Sequence, residues 1–181
     1  MVYVHLADGF EEIEALTIID LLRRAAIETE TVSITGQLPV VGAHGVKVIA
    51  DILFEDAVYA NCELIVLPGG MPGSTNLAAH EGLCEKILSF NNQGKRLAAI
   101  CAAPLVLGRT GVLKGKKATC YPSFEEELDG AEVVDAPVVV DQNVITSRGP
   151  GTAMAFALRL IEELKRKEAA TAVAGGLLYT P

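Results

Sequence analysis

Positive charge is in short supply in this chain. Fifteen lysines and arginines stand against 23 aspartates and glutamates, a formal net charge of −8. No basic face is available to a phosphate backbone or an anionic bilayer, which argues against nucleic acid or membrane as the main partner. Long apolar runs are also missing; none approaches the ~18 residues of a membrane-crossing helix. The start, Met1-Val2-Tyr3-Val4-His5-Leu6-Ala7-Asp8, has neither a basic region nor a long apolar stretch. The expectation is no secretory signal and a cytoplasmic location. CxxC spacing is absent, and Cys62, Cys84, Cys101 and Cys120 lie far apart, as free thiols in a reducing compartment would. The three histidines, His5, His44 and His80, show no HExxH or paired spacing, so no metal site is expected. There is no GxxxxGK[ST] loop, and neither Pro68-Gly69-Gly70-Met71-Pro72-Gly73 nor Gly149-Pro150-Gly151 completes a GxGxxG fingerprint. No cofactor is implied.

Half of the 181 residues are hydrophobic and 21% are charged, the balance of a globular chain long enough to bury one full core. Strand-like and helix-like segments alternate throughout, with no linker, which predicts one domain over 1–181. Strands are expected at 2–7, 30–34, 47–50, 64–67, the run into Cys101, and 117–121. Short strands at 132–134 and 138–146 could pair with each other. Helices are expected at 11–27, 81–91, 103–109 and 152–167, the last with Met154, Ala157, Leu158, Ile161 and Leu164 on one stripe. This alternation predicts an α/β fold with a doubly wound, mostly parallel sheet sandwiched by helices. Sites in such sheets lie outside the carboxyl ends of the strands. Asp8-Gly9, Pro68-Gly69-Gly70 and Cys101 are three such ends, expected to converge.

Arg96-Leu97-Ala98-Ala99-Ile100-Cys101-Ala102-Ala103-Pro104 runs as an apolar strand into a cysteine, then small residues and a proline open a helix. Helix N-terminal amides stabilise anions, so a thiol there is expected to ionise below its ordinary pKa of about 8.5. Small neighbours are expected to leave it accessible. The plain alternative is an inert core thiol. On a helical wheel of 11–27, Glu14 is the charged residue inside the apolar arc, between Leu21 and Ala25. Glu11 and Glu12 suit a first helical turn, and Asp8 with Glu11 could form a capping pair. A carboxyl group at Glu14 is expected to be buried with a raised pKa, able to donate to a thiolate or take a proton from substrate. Its alternative is a rim glutamate that reaches solvent. The turn at Gly69-Gly70 could present an oxyanion N–H or merely end a strand. No histidine follows Cys101, which excludes hydrolases of Cys-then-His order.

Phe10-Glu11-Glu12-Ile13-Glu14, Val66-Leu67-Pro68-Gly69-Gly70, Ala98 to Pro104 and Thr146-Ser147-Arg148-Gly149-Pro150-Gly151-Thr152, in this order, resemble the ThiJ/PfpI superfamily. The resemblance is to the branch of the Parkinsonism-associated protein deglycase and its bacterial chaperone-like relatives. It implies a flavodoxin-like sandwich that forms a homodimer. It implies that Cys101 is a nucleophile-elbow cysteine, that Glu14 hydrogen-bonds its sulfur, and that the Gly70 and Ala102 amides form an oxyanion site. Gly69, Cys120, Tyr121, Arg24 and His44 match positions around the pocket or the dimer seam. Two positions depart from the deglycase pattern: Tyr121 replaces a histidine, and His44 replaces an arginine. A phenol is a poor general base at neutral pH. The activity implied is cofactor-independent oxoaldehyde detoxification, of glyoxalase or protein deglycase type, with a stress-response role on small aldehydes or glycated proteins. A redox-sensing chaperone for misfolded proteins, its cysteine oxidised without turnover, is the rival; a thiamine-pathway role rests on a family label alone.

Overall fold

Leu64-Ile65-Val66-Leu67 is apolar at every position because it is the central strand of a seven-stranded sheet, buried on both faces. The computed structural model describes residues 1–180. In chain order the elements are β1 (Val2–Leu6), α1 (Glu12–Arg24), β2 (Thr29–Ser33), β3 (Pro39–Val41), β4 (Lys47–Ile49) and β5 (Ile52–Leu53). Next come β6 (Leu64–Leu67), α2 (Gly73–Ala79), α3 (Glu81–Asn92), β7 (Arg96–Ile100) and α4 (Pro104–Arg109). Then follow β8 (Lys117–Ala118), β9 (Glu132–Val133), β10 (Val138–Asp141), β11 (Val144–Ser147), α5 (Ala153–Leu164) and α6 (Lys167–Gly176). The sheet order is β10-β11-β7-β6-β1-β2-β5, parallel except between β10 and β11. Helices α1, α5 and α6 pack as one layer and α2, α3 and α4 as another. The flavodoxin-like α/β sandwich is thus borne out. Each fully buried Leu, Ile or Val of β1, β6 and β7 contributes about 1.5–3 kcal/mol.

Several boundaries differ from the sequence expectation, each for a local reason. The strand expected over 138–146 is two strands, because Gln142 takes φ 54° and turns the chain into a hairpin. The segment at 132–134 does not pair with 138–146; β9 runs parallel to β8 instead. Helix α1 stops at Arg24, not at 27. The Ala26 N–H bonds to the Arg23 carbonyl and the Ile27 N–H to the Leu22 carbonyl, a Schellman end with Ala26 at φ 49° where glycine is usual. Helix α5 ends at Leu164, and α6 follows after a two-residue turn. Of the α5 stripe, Ala157, Leu158 and Ile161 are buried, while Met154 and Leu164 are half-buried. Among the described residues, no helix is long and apolar enough to cross a membrane.

Candidate active site

The carboxyl ends of β6 and β7 and the start of α1 meet at one point. Cys101 follows β7, and its N–H still bonds to the Ser147 carbonyl at 3.0 Å. One peptide later the chain must leave the sheet for α4. It does so by placing Cys101 at φ 65°, a left-handed conformation that costs a non-glycine residue energy and marks an elbow. Beside it, β6 ends in Pro68-Gly69-Gly70. A methyl group on Gly69 would stand 2.5 Å from the Cys101 Cβ and 2.7 Å from a Glu14 oxygen, so only glycine admits the elbow here.

Helix α1 is pinned to this turn by its own first residues. The Glu11 N–H donates to the Gly69 carbonyl at 2.8 Å, and the Glu11 carboxylate caps the helix by accepting the Glu14 N–H at 2.7 Å. Asp8 does not cap α1, contrary to the sequence expectation; its carboxylate accepts the Val41 N–H at 2.9 Å. One turn into the helix, Glu14 is fully buried, so the rim alternative is overturned. Its Oε2 accepts the Gly69 N–H at 2.8 Å, and its Oε1 is buried with no hydrogen-bond partner. Burial pushes the Glu14 carboxyl up to about 7, against the Gly69 N–H and the Cys101 side chain, which favour its anion.

The thiol itself departs from expectation. Cys101 is only 8% exposed, so its small neighbours bury it rather than open it. Burial first, then the adjacent Glu14 carboxylate, pushes the Cys101 thiol up to about 12, against the Gly70 and Ala102 amides that favour the thiolate. The expected lowering by the helix terminus is therefore overturned. Together the two groups form a pair that gives up one proton near neutrality and holds the second to about 12.

The remaining sequence candidates divide. Tyr121 lies beside the elbow: its N–H bonds to the Cys101 carbonyl at 2.8 Å, and its half-exposed ring sits against Gly149. Cys120 is buried and lines a separate cavity of about 130 Å³ with Glu125 and Arg148; burial raises its thiol to about 11. Arg24 is exposed and paired with Asp20 at 2.7 Å, ten residues and so about 15 Å along α1 from Glu14. His44, on the β3–β4 hairpin, places Nδ1 2.7 Å from Glu12 Oε2, and the Glu12 carboxylate also accepts the His44 N–H at 2.6 Å. Neither Arg24 nor His44 joins Cys101 within this chain. Sequence reasoning missed that Glu11 and Glu12 anchor the site, although the Glu-x-x-Glu spacing of Glu11 and Glu14 is a capping pattern. Glu11, Glu12 and His44 are the one described group with metal-ligating atoms gathered within 4.8 Å, and hydrogen bonds already occupy Glu12. Cavities of about 420 and 310 Å³ also open away from the thiol.

Residues 1–163 match the DJ-1/PfpI family. The chain belongs to that family. Protein dj-1beta of Drosophila melanogaster is 41% identical over 177 residues, 97% of this chain and 95% of that protein. Protein DJ-1 homolog B of Arabidopsis thaliana is 42% identical over 182 residues, 99% of this chain but 42% of that protein. This chain thus spans less than half the length of the two Arabidopsis relatives. Among solved structures, oxidised Toxoplasma gondii DJ-1 superposes with a TM-score of 0.95 at 40% identity, covering 99% of this chain and 98% of that one. The DJ-1/PfpI fold accounts for the parallel sheet and for the elbow at the end of β7.

Proposed function

We propose that this DJ-1/PfpI protein detoxifies small reactive oxoaldehydes through Cys101, with water as the only co-substrate, as part of a stress response. The observation that carries this reading is the fully buried Glu14 carboxyl against a cysteine held at a left-handed elbow. An unpartnered Oε1 is the natural place for a proton: protonation neutralises the buried group and supplies an O–H that can turn to the sulfur. Near neutrality the pair has given up one proton, and the form that attacks is the one with the remaining proton on Glu14 and the sulfur ionised. The thiolate adds to the aldehyde carbon, and the new oxygen takes the Glu14 proton, giving a hemithioacetal. The Gly70 and Ala102 amides steady the developing oxyanion. Glu14, now ionised, removes the proton from the former aldehyde carbon to give an enediol and returns it to the adjacent carbon, while the hydroxyl proton passes to the adjacent oxygen, leaving a 2-hydroxy thioester. Water cleaves the thioester, releasing a 2-hydroxy acid and the thiol. The same addition to a glycated side chain would read as deglycase activity.

A second reading, a redox sensor, is favoured by one observation. The sulfur is nearly closed to solvent, which suits an oxidant the size of peroxide better than a bulky substrate. Oxidation of Cys101 to a sulfinate would then be the working event. Following thiolate absorbance against pH tests the shared pair. Glu14→Leu is expected to move thiolate formation downward from about 12, by removing the carboxylate that holds the thiol up. An unchanged or higher thiolate titration would overturn the pairing. Methylglyoxal turnover by the wild type, lost in Cys101→Ala, supports catalysis; peroxide oxidation of Cys101 without turnover supports the sensor.

We also propose a homodimer. Ile13 is 58% exposed and Leu16 44% on α1, and Val41, Val46 and Ile49 are exposed on the adjoining hairpin, more apolar surface than one copy covers.

A further inference from the structure

A cavity at the edge of the sheet has no part in the chemistry above. It measures about 420 Å³ and lies between the sheet-edge strand β10 and helices α5 and α6. That volume is within the range of small-molecule sites. Helices α5 and α6 each supply four of its lining residues, and those of α6, with Tyr179, lie beyond the 1–163 that match the family.

The cavity is polar at one end and apolar along the rest. Helices α5 and α6 are joined by a two-residue turn, so the end of α5 and the start of α6 lie together. At that end stand Arg159, Glu162, Lys167 and Thr171. Arg159 is held by Glu163 at 2.7 Å and more loosely by Glu162 at 3.6 Å. Among the described residues, Lys167 makes no ion pair, so of the two cations lining the cavity it is the uncommitted one. Arg166 caps α6 without a side-chain hydrogen bond, which leaves the positive pole of the helix at the same end. Away from the turn the walls become Ala155 on α5, and Ala174 and Tyr179 on the other side. From Lys167 to Ala174 is seven residues, about 10 Å along the axis of α6.

We propose that this cleft binds a medium-chain carboxylate, its head at Lys167 and its alkyl chain along α6 toward Ala174 and Tyr179. The charge at one end and the apolar length at the other match such a molecule. A cationic or purely polar ligand would meet the wrong surface at one end or the other. Nothing in this proposal depends on Cys101.

Isothermal titration calorimetry of the full chain with sodium decanoate, below its micelle concentration, tests it. Saturable binding at one molecule per chain is expected, at least tenfold weaker for decyltrimethylammonium. Lys167→Glu should weaken decanoate at least tenfold, and Ala174→Phe should abolish binding by filling the apolar end. Cys101→Ala should leave it unchanged, which separates this site from the proposed activity. If Ala174→Phe fails to fold, Val140→Trp fills the opposite wall. No saturable binding by the wild type would overturn the proposal, as would equal affinity for the cationic amphiphile. A change of oligomeric state in folded Ala174→Phe would assign the cleft to a second copy of the chain and also overturn it.

Discussion

Glu14 on α1 and His5 on β1 are both fully buried ionisable side chains, and they have come to opposite ends. Each is driven by burial toward its neutral form. The acid rises to about 7 and the base falls to about 3. His5 sits in an aromatic box, its Nε2 2.7 Å from the Tyr59 hydroxyl, with its ring stacked on Tyr59 and near Phe54. Glu14 touches a second group that can carry the proton it gives up. What separates the two is where each titration falls relative to neutrality. His5 therefore stays neutral across the physiological range, while Glu14 changes state in the middle of it.

The largest expected effect belongs to His5. A histidine that ionises near 6.5 when unfolded and about 3 when folded contributes stability that is present above 6.5 and lost as pH falls toward 3. The full loss is about 5 kcal/mol. Because Glu14 opposes it, the loss is read against a variant: in urea unfolding His5→Phe should gain about 3 kcal/mol on wild type at pH 4 relative to pH 7, and no such gain would break the comparison. Glu14 works in the opposite direction. Its carboxyl ionises near 4.5 unfolded and about 7 folded, so its neutral form favours folding below 4.5 and that advantage is lost as pH rises through 7. The difference is about 3 kcal/mol. Glu14→Leu should therefore gain stability on wild type between pH 5 and 8, in the same urea series. A smaller but visible effect is expected at the apolar face of α1. Ile13→Glu should convert the proposed dimer to the 19.1 kDa monomer in light scattering at micromolar concentration, with little change in the unfolding curves of the monomer.

What the sequence disclosed about this contrast was uneven. Glu14 stood out because a charge inside the apolar arc of a helix has few bland explanations. His5 did not, since one polar residue in a strand whose every position is buried leaves no periodic signature. Cys101 was legible as the end of β7, but its burial depends on Gly69 and α1, brought together only by the sheet order. Helix α2 passed unnoticed because Gly73-Ser74-Thr75-Asn76 are weak helix formers. The break between α5 and α6 carries no glycine or proline. The hairpin between β10 and β11 turns on Gln142, a residue without turn character.

Gly69 gives the site a fragility of its own kind. The spacing between the sulfur and the carboxyl group is set by the absence of one methyl, since a Cβ there would also stand 2.8 Å from the Ile100 carbonyl. An alanine at 69 would leave every reactive group intact and yet pry the two apart. Function in this fold can thus be erased at a position that performs no chemistry, and an inventory of reactive side chains would pass over the loss.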